Sequence, residues 1–230
     1  MRRAGIDPAL ERTFQRRLLR WFRFRGRDLP WRKTQDPYRI LVSEVMLQQT
    51  QVERVLGYYD RFLKRYPTVE ELAQAKPSQV REAWDGLGYY TRARNLHKTA
   101  RQVTRRHRGR FPRTYEEAHA LPGVGRSTAG ALLSFAFNTK TPILDTNVKR
   151  LLSRVFLQRS SPTPAQTERR LWRLSASLIP SGKAWTFNQA LMDFGALVCT
   201  AKNPRCATCC FTDICRAYPK FRRQGAGRRP

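Results

Sequence analysis

The sequence predicts an all-α protein in two lobes, and three observations carry that expectation. Apolar residues recur at helical spacing in segment after segment, Pro, Gly or charged turns separate those segments, and strand-like alternation is sparse. Leu10, Phe14, Leu18 and Trp21, with arginines between them, mark an amphipathic opening helix that Gly26, Asp28 and Pro30 break. After Pro37 the Ile, Leu, Val and Met positions predict a mostly buried helix over residues 40–52. Helical periodicity continues over residues 53–66, 69–75, 79–90 and 93–107.

A short helix over 115–120, the turn Leu121-Pro122-Gly123-Val124-Gly125 and an Ala/Leu/Phe-rich helix over 127–137 form a helix, a tight hairpin and a helix. Pro142 separates this body from a helix over 147–156, where Val148, Leu151, Leu152 and Val155 make one apolar face. The second lobe starts there. Residues 157–166 read as a connection and 166–179 and 187–198 as helices, the last leading into the cysteines, while the basic tail from Phe221 reads as loose.

The chain has 230 residues, enough for one large domain or two small ones. Lys and Arg total 45 against 17 Asp and Glu, a net charge of +28, and 36 of the cations are Arg. Such a surplus repels itself unless a polyanion is near, so nucleic acid is the first partner to consider. The 12 Phe and a 40% hydrophobic content still build a folded body, which excludes a mere basic tail. The longest apolar run, residues 129–137, is about half of what a membrane span needs. The first ten residues show neither an uninterrupted apolar segment nor a small-residue cleavage pattern, so no secretory signal and a cytosolic location are expected.

All five cysteines fall within residues 199–215, where disulfides would close only tiny loops. Cys199, Cys206, Cys209 and Cys215 are separated by six, two and five residues and can bring four thiolates to one inorganic centre. Zinc favours paired short-spaced knuckles and only one such interval is present, so iron-sulfur is the first reading and zinc the alternative. Cys210 is left over, although the spacing does not forbid it replacing Cys209. Lys202, Arg205 and Arg216 flank the centre and suit a loop that offers cations to phosphate. An electron carrier is the other reading of such a centre, but the chain shows no second cofactor signature.

The hairpin glycines permit positive backbone angles and close approach, and the amides opening the next helix, with Arg126, can hold a DNA phosphate. An ordinary Pro/Gly helix connection reads the same way. Glu44 and Asp145 both stand in apolar surroundings, where a carboxyl must be hydrated, bonded or paired and where burial raises its pKa. Asp145 also precedes a predicted helix and can serve as its N-cap. The two acids are 101 residues apart. If they converge, a protonated carboxyl and a carboxylate supply complementary chemistry for breaking an N-glycosidic bond.

The residues Leu29-Pro30-Trp31-Arg32, the run of residues 43–52 around Glu44, Gly86-Leu87-Gly88-Tyr89-Tyr90, the Leu121 hairpin, Asp145-Thr146-Asn147-Val148, Asn188-Gln189-Ala190 and the four cysteines span roughly residues 10–218. Together they resemble the MutY-type adenine mismatch DNA glycosylases of the iron-sulfur helix-hairpin-helix superfamily. The resemblance implies a two-lobed helix-hairpin-helix glycosylase fold. A six-helix module would cover residues 30–141, a cluster lobe 1–29 and 142–220, and a basic tail 221–230. It implies a [4Fe-4S] cluster on Cys199, Cys206, Cys209 and Cys215. The implied partner is double-stranded DNA with a mismatched or damaged pair, held between the lobes of a nucleoid-associated monomer.

By the same resemblance Glu44 looks like the acid that protonates adenine N7 and Asp145 like the group that stabilises the sugar cation. Ser127 stands where bifunctional relatives carry a Schiff-base Lys, which implies hydrolysis by water with little lyase activity. Trp31, Arg32, Ser127, Asn147 and Gln189 are assigned to the base pocket and its support. Gln48, Gln49, Tyr89, Leu121, Gly123, Val124, Gly125 and Arg126 are assigned to DNA, with Gln48 and Tyr89 probing or wedging the duplex. Tyr89 as a core aromatic, Trp31 as a packing anchor, and Asn147 and Gln189 in helix capping or ordinary solvation remain the plain alternatives.

Two departures from the family pattern matter. The longest members carry a carboxy-terminal domain that helps recognise 8-oxoguanine, and this sequence stops soon after the cysteines, so base release with weaker selectivity is expected. Thr146 replaces the usual Gly and is expected to narrow the pocket. The function expected is hydrolytic release of adenine mispaired with 8-oxoguanine or guanine. The alternatives are a mismatch-specific thymine or uracil glycosylase and a nonenzymatic DNA-binding iron-sulfur protein.

Overall fold

The computed structural model describes residues 6–157 and 163–226, whose regular secondary structure is all helix with no strand. Helix α1, Pro8–Arg25, starts where the Asp7 carboxylate accepts from the Ala9 amide at 2.9 Å and Pro8 fills the first helical position. A single turn at Pro30–Arg32 precedes α2, Pro37–Met46, which is capped in the same way by Asp36. Then follow α3, Val52–Arg65, α4, Val69–Gln74, α5, Pro77–Ala83, α6, Thr91–His107, and α7, Tyr115–His119. Helix α8, Arg126–Phe137, closes the hairpin, and α9, Thr146–Phe156, α10, Pro164–Ser177, α11, Ala184–Leu197, and α12, Tyr218–Ala226, complete the series. No described helix is long and apolar enough to cross a membrane.

The chain divides into two compact units, Asp28–Thr139 and the pair of segments Met1–Arg27 and Lys140–Pro230. In the first, α2 packs on α8 and α3, and Trp84, fully buried, meets Phe62 edge-on at 5.7 Å. In the second, the apolar stripe of α1 explains why the amino terminus joins the carboxy-terminal half. Phe14 stacks on Phe211 at 4.6 Å and meets Phe156 edge-on at 5.0 Å, and Trp21 meets Phe194 at 4.9 Å. Burying each such side chain stabilises the unit by roughly 1.5–3 kcal/mol. Arg27 then fixes the end of that segment, because its guanidinium and amide donate to the wholly buried Asp193 carboxylate at 2.6–2.9 Å.

Four expectations are corrected by the fold. The helix expected over residues 40–52 ends at Met46, and residues 47–51 form a turn in which Gln49 has a φ of +56°. The helix expected over 79–90 covers only Pro77–Ala83, and residues 84–90 turn through Gly86, Gly88 and Tyr89 at positive φ. Helix α10 begins at Pro164, where Thr163 and Gln166 form a reciprocal capping pair. Within the expected connection, residues 158–162 lie outside the described residues. The tail is not loose from Phe221, since α12 runs to Ala226.

Candidate active site

In the Asp28–Thr139 unit one arginine explains both unexpected turns. Arg92, on α6 and 8% exposed, donates to the carbonyls of Val45, Met46 and Gln48 at 3.2, 2.6 and 2.6 Å. It also donates to Leu87 and Gly88 at 3.2 and 3.1 Å. The last carbonyls of α2 therefore bond to a guanidinium instead of the next turn of helix, and the chain is released into the turn carrying Gln48 and Gln49. Burial holds the Arg92 guanidinium below its usual pKa, and its plane lies 5.6 Å from the Trp84 ring and 5.4 Å from the Tyr89 ring.

The same unit holds the expected DNA-contacting set together. Gln48 Nε2 donates to Thr128 Oγ1 at 3.5 Å, which ties its turn to the first turn of α8. In the hairpin, Leu121 and Val124 are buried, and the Val124 amide donates to the Leu121 carbonyl at 3.1 Å. Thr99 Oγ1 on α6 donates to the Pro122 carbonyl at 2.9 Å. Gly123, at φ +76°, would place a Cβ 2.7 Å from Asn95, so both backbone angle and space require glycine there. Gly125 caps α8 without a side chain, so the opening amides of that helix, beside exposed Arg126 and half-buried Ser127, have no side-chain cap.

Tyr89 is 62% exposed at a φ of +50°, which rules out the core-aromatic reading. A bulky residue held in the left-handed region and left in solvent costs of order 1–3 kcal/mol, and such strain concentrates at functional positions. Trp31 takes the opposite place. It is 5% exposed and packs edge-on against Tyr59 at 5.3 Å, as a packing anchor does. Arg32 is half-buried and Gln49 is exposed. Glu44 lies half-buried in the last turn of α2, between the buried Ser43 and Val45 and just before the carbonyls that Arg92 holds.

The second unit carries Asp145. Its Oδ1 accepts from the Val148 amide at 2.7 Å as the N-cap of α9, and its Oδ2 accepts from Asn147 Nδ2 at 3.3 Å. Burial pushes the Asp145 carboxyl above the usual carboxylate range, against those hydrogen bonds and the nearby Arg150 charge, which pull it down. Asn147 is held in turn, because its Oδ1 accepts from Arg150 Nη2 at 2.8 Å. Arg150 continues to the Gly195 carbonyl at 2.6 Å and, through Nε, to the Cys199 carbonyl at 2.7 Å. A Cβ on Gly195 would lie 2.8 Å from the Asn147 carbonyl oxygen, so glycine lets α11 approach this end of α9. Gln189 is buried on α11 and Thr146 is exposed at the first position of α9.

The cysteine loop is fastened to the other end of α9. Arg154 donates to the Thr200 and Ala201 carbonyls at 2.7 and 3.0 Å and approaches Cys199 Sγ at 3.5 Å. The Cys215 thiol donates to the Arg154 carbonyl at 3.4 Å, and the Phe211 amide donates to Cys209 Sγ at 3.4 Å. None of the five cysteines is in a disulfide. Burial first, then the charge of neighbouring cysteines, raises the thiols of Cys206, Cys209 and Cys215, that of Cys209 to about 12; the neighbour is Cys199 for Cys206 and Cys215, and Cys210 ahead of Cys199 for Cys209. Three thiols that resist ionisation, with the charge of neighbouring cysteines among the causes, are donors that a cationic metal group would stabilise. The thiol of Cys210 is pushed up by burial to about 11, with Arg17 lowering it and Asp213 raising it, and its charge in turn raises Cys209.

Among the described residues no three His, Cys, Asp or Glu side chains form a group that could hold a metal ion.

Glu44 thus falls in one unit, just before the carbonyls that buried Arg92 holds, and Asp145 in the other, where half-buried Arg150 holds Asn147; the sequence singled out neither arginine. The chain belongs to the HhH-GPD superfamily of base excision DNA repair proteins, whose profile matches residues 42–177. It is 44% identical over 231 residues to an adenine DNA glycosylase of Rattus norvegicus, an alignment covering 96% of this chain and 44% of the relative. It is 43% identical over 207 residues to an adenine DNA glycosylase of Buchnera aphidicola, covering 90% and 58%. The chain spans about half the length of the curated relatives it matches. Among solved structures, a thermostable thymine-DNA glycosylase superposes with a TM-score of 0.86 at 33% identity, over 92% of this chain and 98% of that one.

Proposed function

We propose that this chain is a monofunctional DNA glycosylase that releases adenine mispaired with 8-oxoguanine or guanine. Asp145 carries the proposal. Its carboxylate is positioned by one amide and one side-chain donor in a partly desolvated place, which suits a group that stabilises a sugar cation. Identities of 40–44% to adenine DNA glycosylases support the choice of base.

In this reading Glu44, protonated, gives its proton to adenine N7, and the N-glycosidic bond breaks with its electrons passing to the base. Asp145 stabilises the positive charge left on the sugar. Water adds to C1′ and its proton goes to Glu44, which restores the acid. Ser127 supplies no amine for a Schiff base, so strand cleavage awaits alkali. Tyr89 enters the duplex beside the displaced base and offsets part of the unstacking cost of a few kcal/mol. The hairpin amides and Arg126 hold a phosphate, the basic surface suits double-stranded DNA, and such a partner suits a cytoplasmic, nucleoid-associated enzyme.

Cys199, Cys206, Cys209 and Cys215 would hold a [4Fe-4S] cluster, and when bound it would cross-link the loop that presents Lys202, Arg205 and Arg216 to phosphate. Anaerobic analysis should find iron and inorganic sulfide in place of zinc. Cys215→Ser should lose most of the iron and Cys210→Ser should retain it, and equal loss from both would reject this ligand set.

A second reading, release of mispaired thymine, is favoured by the likeness to the thymine-DNA glycosylase structure. Defined duplexes with adenine or thymine opposite guanine or 8-oxoguanine, assayed for free base before and after alkali, separate the two. The expected result is free adenine, with strand breaks only after alkali. Thymine released from the guanine pair with adenine untouched would overturn the proposal.

A further inference from the structure

Helix α6 has a second working face. Asn95 and Thr99 meet the hairpin, whereas His97, Arg101, Thr104 and Arg105 recur at intervals of four, three and one along the opposite side. There they line a cleft of about 440 Å³ with Gln74 and Lys76 from the end of α4 and the start of α5. Three of the lining side chains are cationic and none is acidic. Two hold buried polar atoms without partners, His97 Nε2 and Thr104 Oγ1, although His97 is only 5% exposed. A buried polar atom of this kind is normally satisfied by protein, water or ligand.

The imidazole chemistry narrows the ligand. The backbone of Ala73 and Ala75 favours the protonated ring, whose buried Nε2 has no partner in the protein. Burial first, then the charge of Arg101, lowers the ring's pKa, with Lys76 and Arg105 the other charged groups lining the cleft; this favours the neutral ring, in which a buried Nε2 without a partner is suited to accept a proton from a ligand. It needs a ligand that donates one proton while presenting negative oxygens to the cations and to the Thr104 hydroxyl. The monoanion of a phosphate monoester, whose second pKa is about 6, carries both. A DNA phosphodiester and sulfate lack the proton.

We propose that this cleft is a phosphomonoester site, filled by a free nucleotide or by the 5′-phosphate end of a nucleic-acid strand. Its volume lies within the range of small-molecule pockets and leaves room for the sugar and base attached to the phosphate. The site stands apart from the glycosylase reading and survives or fails without it.

The full chain has three histidines, so the His97 ring can be followed by NMR. Titrations at pH 7 would use inorganic phosphate, sulfate, a nucleoside 5′-monophosphate, and one oligonucleotide with and without a 5′-phosphate. Phosphate and the nucleotide should move the His97 resonance and raise its titration midpoint, and sulfate should bind at least tenfold more weakly. The R101Q/R105Q double variant should weaken phosphate binding at least tenfold with base release unchanged, and His97→Asn should abolish the preference for phosphate over sulfate. A larger response to the phosphorylated oligonucleotide than to the nucleotide identifies a strand end as the natural ligand, and the reverse identifies a nucleotide. A His97 resonance unmoved by phosphate, equal binding of sulfate, or no effect of the double variant would overturn the proposal.

Discussion

Arg92 gives its hydrogen bonds to the carbonyls of two turns, whereas Arg150 divides its donors between carbonyls and the side chain that holds Asp145. The first is a buried cation with no carboxylate among its bonded partners, and its work is to keep Gln48 and Tyr89 on shaped turns. The second sits near an acid whose ionisation it favours, and it touches the backbone of the first cysteine as well. Arginines that a charge count assigns to DNA are thus partly internal fasteners. A buried guanidinium bonded only to carbonyls fixes shape, and one linked to a carboxylate through an amide also sets that acid's strength.

That contrast can be broken by substitution. The largest effect on rate is expected from Glu44→Gln, which removes the proton donor and should slow single-turnover adenine release by about 10²–10⁴-fold with DNA affinity nearly unchanged. Arg92→Met should leave carbonyls of both turns unsatisfied and lower stability by roughly 2–4 kcal/mol, read from the urea midpoint. An unchanged midpoint would show that the turns hold themselves.

Arg150→Gln should do less to stability and more to the pH profile. Asp145 must be ionised to act, so base release is lost as pH falls through its raised pKa. Removing the Arg150 charge takes away an influence that lowers this pKa, so the acid limb of the rate profile should move to higher pH. A limb that stays in place while the rate falls would reduce Arg150 to a purely structural role.

Most helices were legible because their apolar stripes survive in the sequence, as with Phe14 and Leu18 of α1 and Val148, Leu151 and Val155 of α9. The breaks after Met46 and Ala83 were not. Val45, Met46, Leu47 and Val52 keep helical spacing across the first, and what ends the helix is a guanidinium 46 residues away from Met46. At the second, Gly86 and Gly88 were a visible signal inside a segment otherwise in helical register. The N-cap expected of Asp145 is present, since its Oδ1 accepts from the Val148 amide, and that bond orients the carboxylate on which the proposed role depends. Arg150 could not be singled out among 36 arginines, and only the fold reveals its bonds to Asn147 and Cys199.

The claim on which the rest depends is that Asp145 stabilises charge on the sugar while the base departs. Single-turnover release from an adenine:8-oxoguanine duplex, measured beside duplex affinity for the parent chain and Asp145→Asn, tests it most directly. The account predicts free adenine from the parent chain and a loss of about 10²-fold or more in rate for the variant, with affinity held within a few-fold. An Asp145→Asn protein that releases adenine at the parental rate would contradict it.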